Sequence, residues 1–315
     1  MTFPVFDLHC DTVNELISLE DRDNSSLRAN QAHIDLERAM SLCGYAQCFA
    51  CFTTSNMPYN PVDVFEKQLS KIFKEIEKNH DLIRLAYTAD DIENNLSSGL
   101  MSAILTLEGT AGFGFDPALL EDLSKIGFRI CSLGWNEKNP LTGSCVTGGG
   151  LTDRGREFVN ELQRLGMIVD VSHISDDGFW DVMDITNGSV IATHSNSRNL
   201  CDVNRNLTDD MFRAICATGG VAGINLYPAF LGKGASIDTA CDHVFHFLEL
   251  DPEGKHIALG GDLDGIDALP DGFLGIQDYI KLSERLLERG LSENMIHDIF
   301  WNNALEVMRH VVQVD

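Results

Sequence analysis

The sequence is short of positive charge. Lys and Arg number 23 against 48 Asp and Glu, which gives a formal net charge of −25. A surface of that sign repels phosphate backbones and anionic lipid headgroups, so neither nucleic acid nor membrane is an expected partner. No apolar run approaches the roughly 20 residues of a membrane span, and the tail from Arg309 to Asp315 is no lipid-anchor signal. The first candidate strand starts within a few residues of Met1, leaving no basic stretch followed by an apolar one. Disulfide spacing is also missing. The nine Cys are odd in number, and the one close pair, Cys48 and Cys51, lies in an apolar run and reads as two buried thiols rather than a redox motif. Buried free thiols suit a reducing compartment, so the expectation is a cytoplasmic enzyme.

What is present is a regular alternation. Eight apolar runs read as buried parallel strands: Val5–Leu8, Ala46–Phe52, Ser102–Leu107, Arg129–Leu133, Met167–Val171, Val190–Thr193, Gly220–Ile224 and His256–Leu259. Helical patterns separate them. Asn60-Pro61 caps and starts one that carries Val62, Phe65, Leu69, Ile72 and Ile76 on one face. Others run from Arg154 to Leu165, stopped by Gly166, from the cap Thr208, from Thr239 to Leu250, and from Tyr279 with a break at Gly290 and a fresh cap at Ser292. No linker, charge block or low-complexity segment interrupts the series. The pattern predicts one α/β domain over residues 1–315, a (β/α)8 TIM-type barrel. The Gly-, Thr- and Ser-rich stretch 136–152 follows the fourth strand and is expected to be an active-site loop.

Polar residues stand where the apolar runs end. They are His9 and Asp11, Glu108, His173, His194 and Asp262. A barrel builds its active site at the carboxyl ends of its strands, and imidazole and carboxylate are standard ligands for a divalent metal. His9 and Asp11 are two apart, so on a regular strand they share a face. Glu108 ends a run with almost no other polar residue, and a buried carboxylate needs a cation or strong hydrogen bonds. His173 and His194 lie about one βα unit apart and should end neighbouring strands. Singly these are weak signals, since a lone His is more often a hydrogen-bonded core residue. Together they point to a pair of divalent metals and to metal-assisted hydrolysis. Asp262 directly follows the eighth strand and is the better candidate for proton transfer; Asp264 lies further into the loop and reads as a loop-fixing residue. Asp170 could orient one of these histidine ligands, although the structural reading is the stronger one, and His243 and His246 read as helix-face residues remote from the site.

The segments Asp7-Leu8-His9-Cys10-Asp11-Thr12, Leu107-Glu108-Gly109, Asp170-Val171-Ser172-His173, Thr193-His194-Ser195-Asn196-Ser197-Arg198, Asn204-Arg205-Asn206 and Gly260-Gly261-Asp262-Leu263-Asp264-Gly265 in this order resemble the renal (membrane) dipeptidase family of the amidohydrolase superfamily, over nearly the whole chain. The resemblance implies a binuclear zinc site, with one Zn2+ on His9, Asp11 and Glu108 and the other on Glu108, His173 and His194. It implies that Arg205 binds the free carboxylate of a dipeptide substrate, a pairing that guanidinium geometry favours. It also implies a substrate-pocket role for Tyr227 and admits a homodimer. One departure stands out: Trp135 occupies the position where mammalian members carry a histidine that contacts substrate.

The leading expectation is therefore a zinc dipeptidase in which two metals lower the pKa of a bridging water toward ~7, with Glu108 bridging and Asp262 taking the proton. Trp135 and the 136–152 loop leave room for another small amide, lactam or N-acyl amino acid as substrate. A barrel that binds without turnover is the third reading; an intact set of ligands and a candidate base speak against it.

Overall fold

In the computed structural model of the chain, whose described residues are 2–20 and 25–311, the apolar runs form β1 (Val5–Cys10), β2 (Tyr45–Phe52), β3 (Ile83–Leu85), β4 (Met101–Glu108), β5 (Phe128–Ser132), β6 (Ile168–Asp170), β7 (Val190–Ile191), β8 (Ala222–Ile224) and β9 (Ile257–Leu259). Eight of them stand side by side in the order β7-β6-β5-β4-β2-β1-β9-β8, all parallel. The bridge between Ala192 and Ala222 closes the ring. Ala192 N donates to Val221 O at 3.0 Å, and Gly223 N to Ala192 O at 2.8 Å. The result is the expected (β/α)8 barrel, and its eight staves are the eight predicted strands.

β3 was not expected. It pairs only with Met101–Ala103, at the amino end of β4, below the stretch Leu105–Glu108 where β5 joins that strand. Three residues with an exposed Arg84 in the middle carry no readable period. The later staves are shorter than predicted. β7 stops at Ile191; beyond it Thr193 N and His194 N donate to Asp170 Oδ1 and Ser172 Oγ instead of to backbone carbonyls.

Seven staves, and Val221 just before β8, contribute one or two apolar side chains each to one buried cluster: Phe6 and Leu8, Ala46 and Cys48, Ile104, Ile130, Ile168, Ile191, Val221 and Ala258. Trp301, Ala304, Leu305 and Met308 from the C-terminal helical segment pack on this cluster. Full burial of such side chains contributes roughly 1.5–3 kcal/mol each for the larger ones. The opposite faces of the strands pack against the surrounding helices, as Phe49, Cys51 and Leu107 do with Phe65 and Ile72.

The helices begin where their caps dictate. Asn60 accepts from Val62 N at 3.0 Å and starts Pro61–Lys78, and Thr152 caps Asp153–Arg164. The helix expected from Thr239 begins two residues earlier, at Ile237; Ser236 is its cap, and Thr239 closes a capping box onto it. All nine cysteines are free, Cys48 and Cys51 among the buried ones. No helix among the described residues is long and apolar enough to cross a membrane.

Candidate metal centre and cleft

The carboxyl ends of the staves converge. His9 lies in β1, Asp11 just beyond it, and Glu108 is the last residue of β4; His173, His194 and Asp262 follow β6, β7 and β9. His9 Nε2 lies 3.5 Å from both Asp11 Oδ2 and Glu108 Oε2, and 3.9 Å from Asp262 Oδ1. Glu108 Oε1 lies 3.0 Å from His173 Nε2 and 3.7 Å from His194 Nε2. Glu108 thus turns one oxygen to each half of the cluster. The halves are not cleanly separate: His9, Glu108 and His194 form one set with ligand atoms within 4.8 Å of one another, and His9, Asp11 and Asp262 another.

The expected strand geometry of His9 and Asp11 is not the observed one. The pairing of β1 with β2 shifts register between Asp7 and Cys10, and Asp11 already sits at the cap position of the helix Thr12–Ser18. An irregular strand end, rather than simple alternation, brings both side chains to the site. His173 and Asp262 are likewise aimed by unusual backbone, with φ of 68° and 58°. Left-handed conformations cost energy for residues with a Cβ and cluster at functional sites.

Whether these residues fit divalent ions can be asked of their hydrogen bonds. His173 Nδ1 lies 2.9 Å from Asn136 Oδ1. His194 Nδ1 lies 2.7 Å from Thr193 Oγ1, whose hydroxyl proton is committed to Asp170 Oδ2 at 2.6 Å. Both rings must therefore carry their hydrogen on Nδ1, an assignment that follows from the network. Their Nε2 atoms then present lone pairs to each other at 3.0 Å, with a carboxylate oxygen beside them. His9 Nε2 is buried without a hydrogen-bond partner among the described residues. Facing acceptors without donors are what a cation resolves, so the donor set fits.

The electrostatics divide the cluster: burial lowers His9, but Glu108 and Asp11 outweigh it and hold His9 well above the imidazole range, so a cation there must displace a proton. Burial, with Arg205 adding to it, brings His173 down to about 4. Burial, His9 and Arg205 hold His194 well below the imidazole range, so both are neutral, as ligands must be. Burial pushes Glu108 upward, but His9 and His173 outweigh it and hold the carboxyl well below its usual range. Asp262 is different: burial raises it to about 7.

Asp11, Glu108, His173 and Asp262 line a cleft of about 450 Å³ together with Trp135, Asn136, Tyr227 and Phe230. Trp135 packs edge-on against Phe52 with ring centroids 5.2 Å apart. Arg205 is 7% exposed; its Nη1 donates to Ser195 Oγ at 2.6 Å, while Nε and Nη2 are buried without a hydrogen-bond partner among the described residues. Its guanidinium lies 5.6 Å from the centre of the Phe230 ring. A buried cation with unused donors is a costly arrangement that an anion would relieve. Asp264 accepts from Thr12 Oγ1 at 2.6 Å and from His33 N at 2.5 Å, so it ties loops together.

Several positioning residues escaped the sequence reading. Asn225 Nδ2 donates to Asp262 Oδ2 at 3.0 Å, leaving Oδ1 toward His9. Asp7 accepts from His9 N at 2.9 Å and Gly261 N at 3.2 Å, and also from the Tyr279 hydroxyl, joining the ends of β1 and β9. Asp170, expected to be structural, holds Thr193 against His194. His243, expected to be remote, accepts from Ser197 N at 3.1 Å and donates to Leu231 O at 3.2 Å, linking the loop that carries Arg205 to the segment that carries Phe230.

A parallel (β/α)8 barrel with a buried histidine–carboxylate cluster at its carboxyl end is the arrangement of a metal-dependent hydrolase. More narrowly, the chain belongs to the membrane dipeptidase family, peptidase family M19, whose model matches residues 1–315. It is 34% identical over 227 residues to an uncharacterized dipeptidase of Schizosaccharomyces pombe, covering 70% of this chain and 54% of that one. The aligned part thus spans about half of that relative's length. It is 32% identical to an uncharacterized protein in the pqqA 5′ region of Klebsiella pneumoniae, covering 82% of this chain and 100% of that one. The fold matches the crystal structure of a metallo peptidase from Rhodobacter sphaeroides liganded with a phosphinate mimic of the dipeptide L-Ala-D-Ala, with a TM-score of 0.90, 23% identity and coverage of 99% and 100%.

Proposed function

We infer that the protein is a zinc-dependent dipeptidase. The observation that carries this reading is the Glu108–His173–His194 donor set, which meets the cleft through Glu108 and His173, together with a buried Arg205 beside the cleft residue Phe230 whose Nε and Nη2 lack partners among the described residues. The first suits hydrolysis of an amide; the second suits a substrate with a free carboxylate close to the scissile bond. The phosphinate dipeptide mimic named for the Rhodobacter protein is a ligand of this chemical class.

Two zinc ions held by His9, Asp11, Glu108, His173 and His194 would supply an acidified water as nucleophile and a Lewis acid for the scissile carbonyl. The residues do the rest. Arg205 binds the C-terminal carboxylate of the dipeptide through a charge-assisted fork. Tyr227 and Phe230 line the cleft together with Asp262. Asp262, oriented by Asn225, accepts the proton of the attacking water and returns it to the leaving amine. Glu108 holds the two halves of the cluster in register through its two oxygens.

The test is a hydrolysis screen over L-L and L-D dipeptides on protein whose metal content is measured in the same sample. Turnover that scales with loaded zinc supports the reading. Fully loaded protein that cleaves no dipeptide but does cleave an N-acyl amino acid or a lactam would replace it.

A further inference from the structure

Asn136 lines the cleft and reaches the ring of His173. Its segment is well anchored. Asn139 Nδ2 donates to Leu133 O at 3.0 Å, Asn139 Oδ1 accepts from Leu141 N at 2.8 Å, and Glu137 Oε1 accepts from Ser55 N at 3.2 Å. Asn136 is thus held in place by its neighbours on both sides.

A side-chain amide has two unlike ends, and here its orientation is decided. Asn136 Oδ1 lies 2.9 Å from His173 Nδ1. Turning the amide over would put two N–H groups against that nitrogen and force the ring hydrogen onto Nε2. Nε2 would then direct a hydrogen at His194 Nε2, 3.0 Å away, whose own Nδ1 hydrogen is fixed by Thr193 and Asp170. The orientation that frees His173 Nε2 for a cation therefore also directs the NH2 end of Asn136 away from His173. That end donates to no protein group among the described residues, and Asn136 lines the cleft beside Glu108, His173 and Asp262. Carboxylates and aromatic rings make up most of that wall, so a neutral N–H donor next to the cluster is scarce.

We propose that Asn136 acts with both ends: Oδ1 fixes the ring of His173, and the Nδ2 hydrogens donate to the scissile carbonyl oxygen as it gains negative charge. The second half rests on the dipeptidase reading. The amide keeps both its hydrogens throughout; it stabilises charge and transfers no proton.

Two substitutions separate the two ends. Asn136→Asp keeps an oxygen toward His173 Nδ1 and removes the donors. Asn136→Leu removes both. Each zinc-loaded variant and the wild type are compared for zinc retained per chain during chelator competition, for the downfield proton NMR signal of the His173 Nδ1–H, and for kcat and KM on one dipeptide. The expected result is that Asn136→Asp retains zinc and the N–H signal like the wild type while kcat falls about 10²–10³-fold, the cost of losing one oxyanion donor. Asn136→Leu should lose the signal and hold one zinc about 10–100-fold more weakly, as when a ligand's supporting hydrogen bond is removed. Wild-type kcat in Asn136→Asp would overturn the donor role. Unchanged zinc retention and N–H signal strength in Asn136→Leu would overturn the positioning role. A wild-type protein that hydrolyses no dipeptide would remove the dipeptidase reading and the donor role with it, and the zinc and NMR measurements would still decide the positioning role.

Discussion

His173 Nε2 and His194 Nε2 face each other at 3.0 Å, each on a ring whose Nδ1 is already engaged. Two such lone pairs repel, and burial, which keeps both rings neutral, denies them a second ring proton to place between them. The metal-free cluster therefore stores a conflict that cation binding relieves.

Metal should stabilise the fold as well as serve the chemistry. Two divalent ions per chain are expected by elemental analysis, and a chelator should lower Tm. Saturation at 100 times Kd adds about 2.7 kcal/mol per site by mass action. Glu108→Gln should impair both ions and His173→Ala chiefly one. Equal losses in the two variants would show that Glu108 does not join the halves.

Asp262→Asn should leave the fold and most of the metal in place and reduce turnover by roughly 10²–10⁴-fold, the range for a general acid–base group. Asp264→Asn acts elsewhere. It disturbs the contacts to Thr12 and His33, so it should lower thermal stability more than turnover. A larger kinetic loss in Asp264→Asn would reverse the assignment.

The Asp262 carboxyl also gives the metal-free protein a pH dependence of definite sign. Its folded pKa is raised to about 7, above its ordinary value of 3.8. Between these values the folded state holds a proton that the unfolded state has released, so this group's contribution to stability falls as pH rises. In the Asn variant that contribution is gone. Urea midpoints measured on metal-free protein from pH 4.5 to 7.5 should show the variant gaining on the wild type as pH increases. A constant difference would mean that the carboxyl is not perturbed.

Thr193 passes the orienting effect of Asp170 to His194. Thr193→Val keeps the shape and removes the hydroxyl, and should weaken one metal site by about 10–100-fold. Thr193→Ser should restore most of it. Metal titration monitored by cobalt absorption distinguishes the two; equal affinity in the valine and serine variants would rule out the relay.

Arg205 should make the enzyme sensitive to the group on the C-terminal side of the scissile bond. A buried charge-assisted hydrogen bond contributes about 1.5–3 kcal/mol, or roughly 10–150-fold in kcat/KM. A dipeptide should therefore exceed its own amide and the matching tripeptide by about that factor, and Arg205→Ala should narrow the gap. Equal kcat/KM for all three substrates in the wild type would reject the clamp.

The barrel was legible because its staves are apolar runs separated by capped helices, and the cluster because His, Glu and Asp stand out where such runs end. Features that depend on partners distant in sequence were not. Asn136, Thr193 and Asn225 are ordinary polar residues until the fold sets each against His173, His194 or Asp262. Asp7 lies two residues before His9, and only the approach of Gly261 and Tyr279 shows what it holds. β3 is too short to show a period. His243 read correctly as a helix residue, but its reach to Ser197 and Leu231 is a property of the loops around it.

The ring closes between β7 and β8 through a place where carbon is absent. A Cβ at Gly220 would strike the carbonyl of Val190, and one at Gly223 or Gly260 the carbonyl of Thr193, the residue before His194. The wall that carries His194 is thus set by backbone lying directly on backbone, with no side chain to yield. For anyone seeking to redirect the protein, these three positions are closed, since even alanine there would displace the backbone of Val190 or Thr193. Room for variation lies among the cleft residues Phe52, Tyr227 and Phe230, where a new side chain changes what fits without moving what holds the cluster.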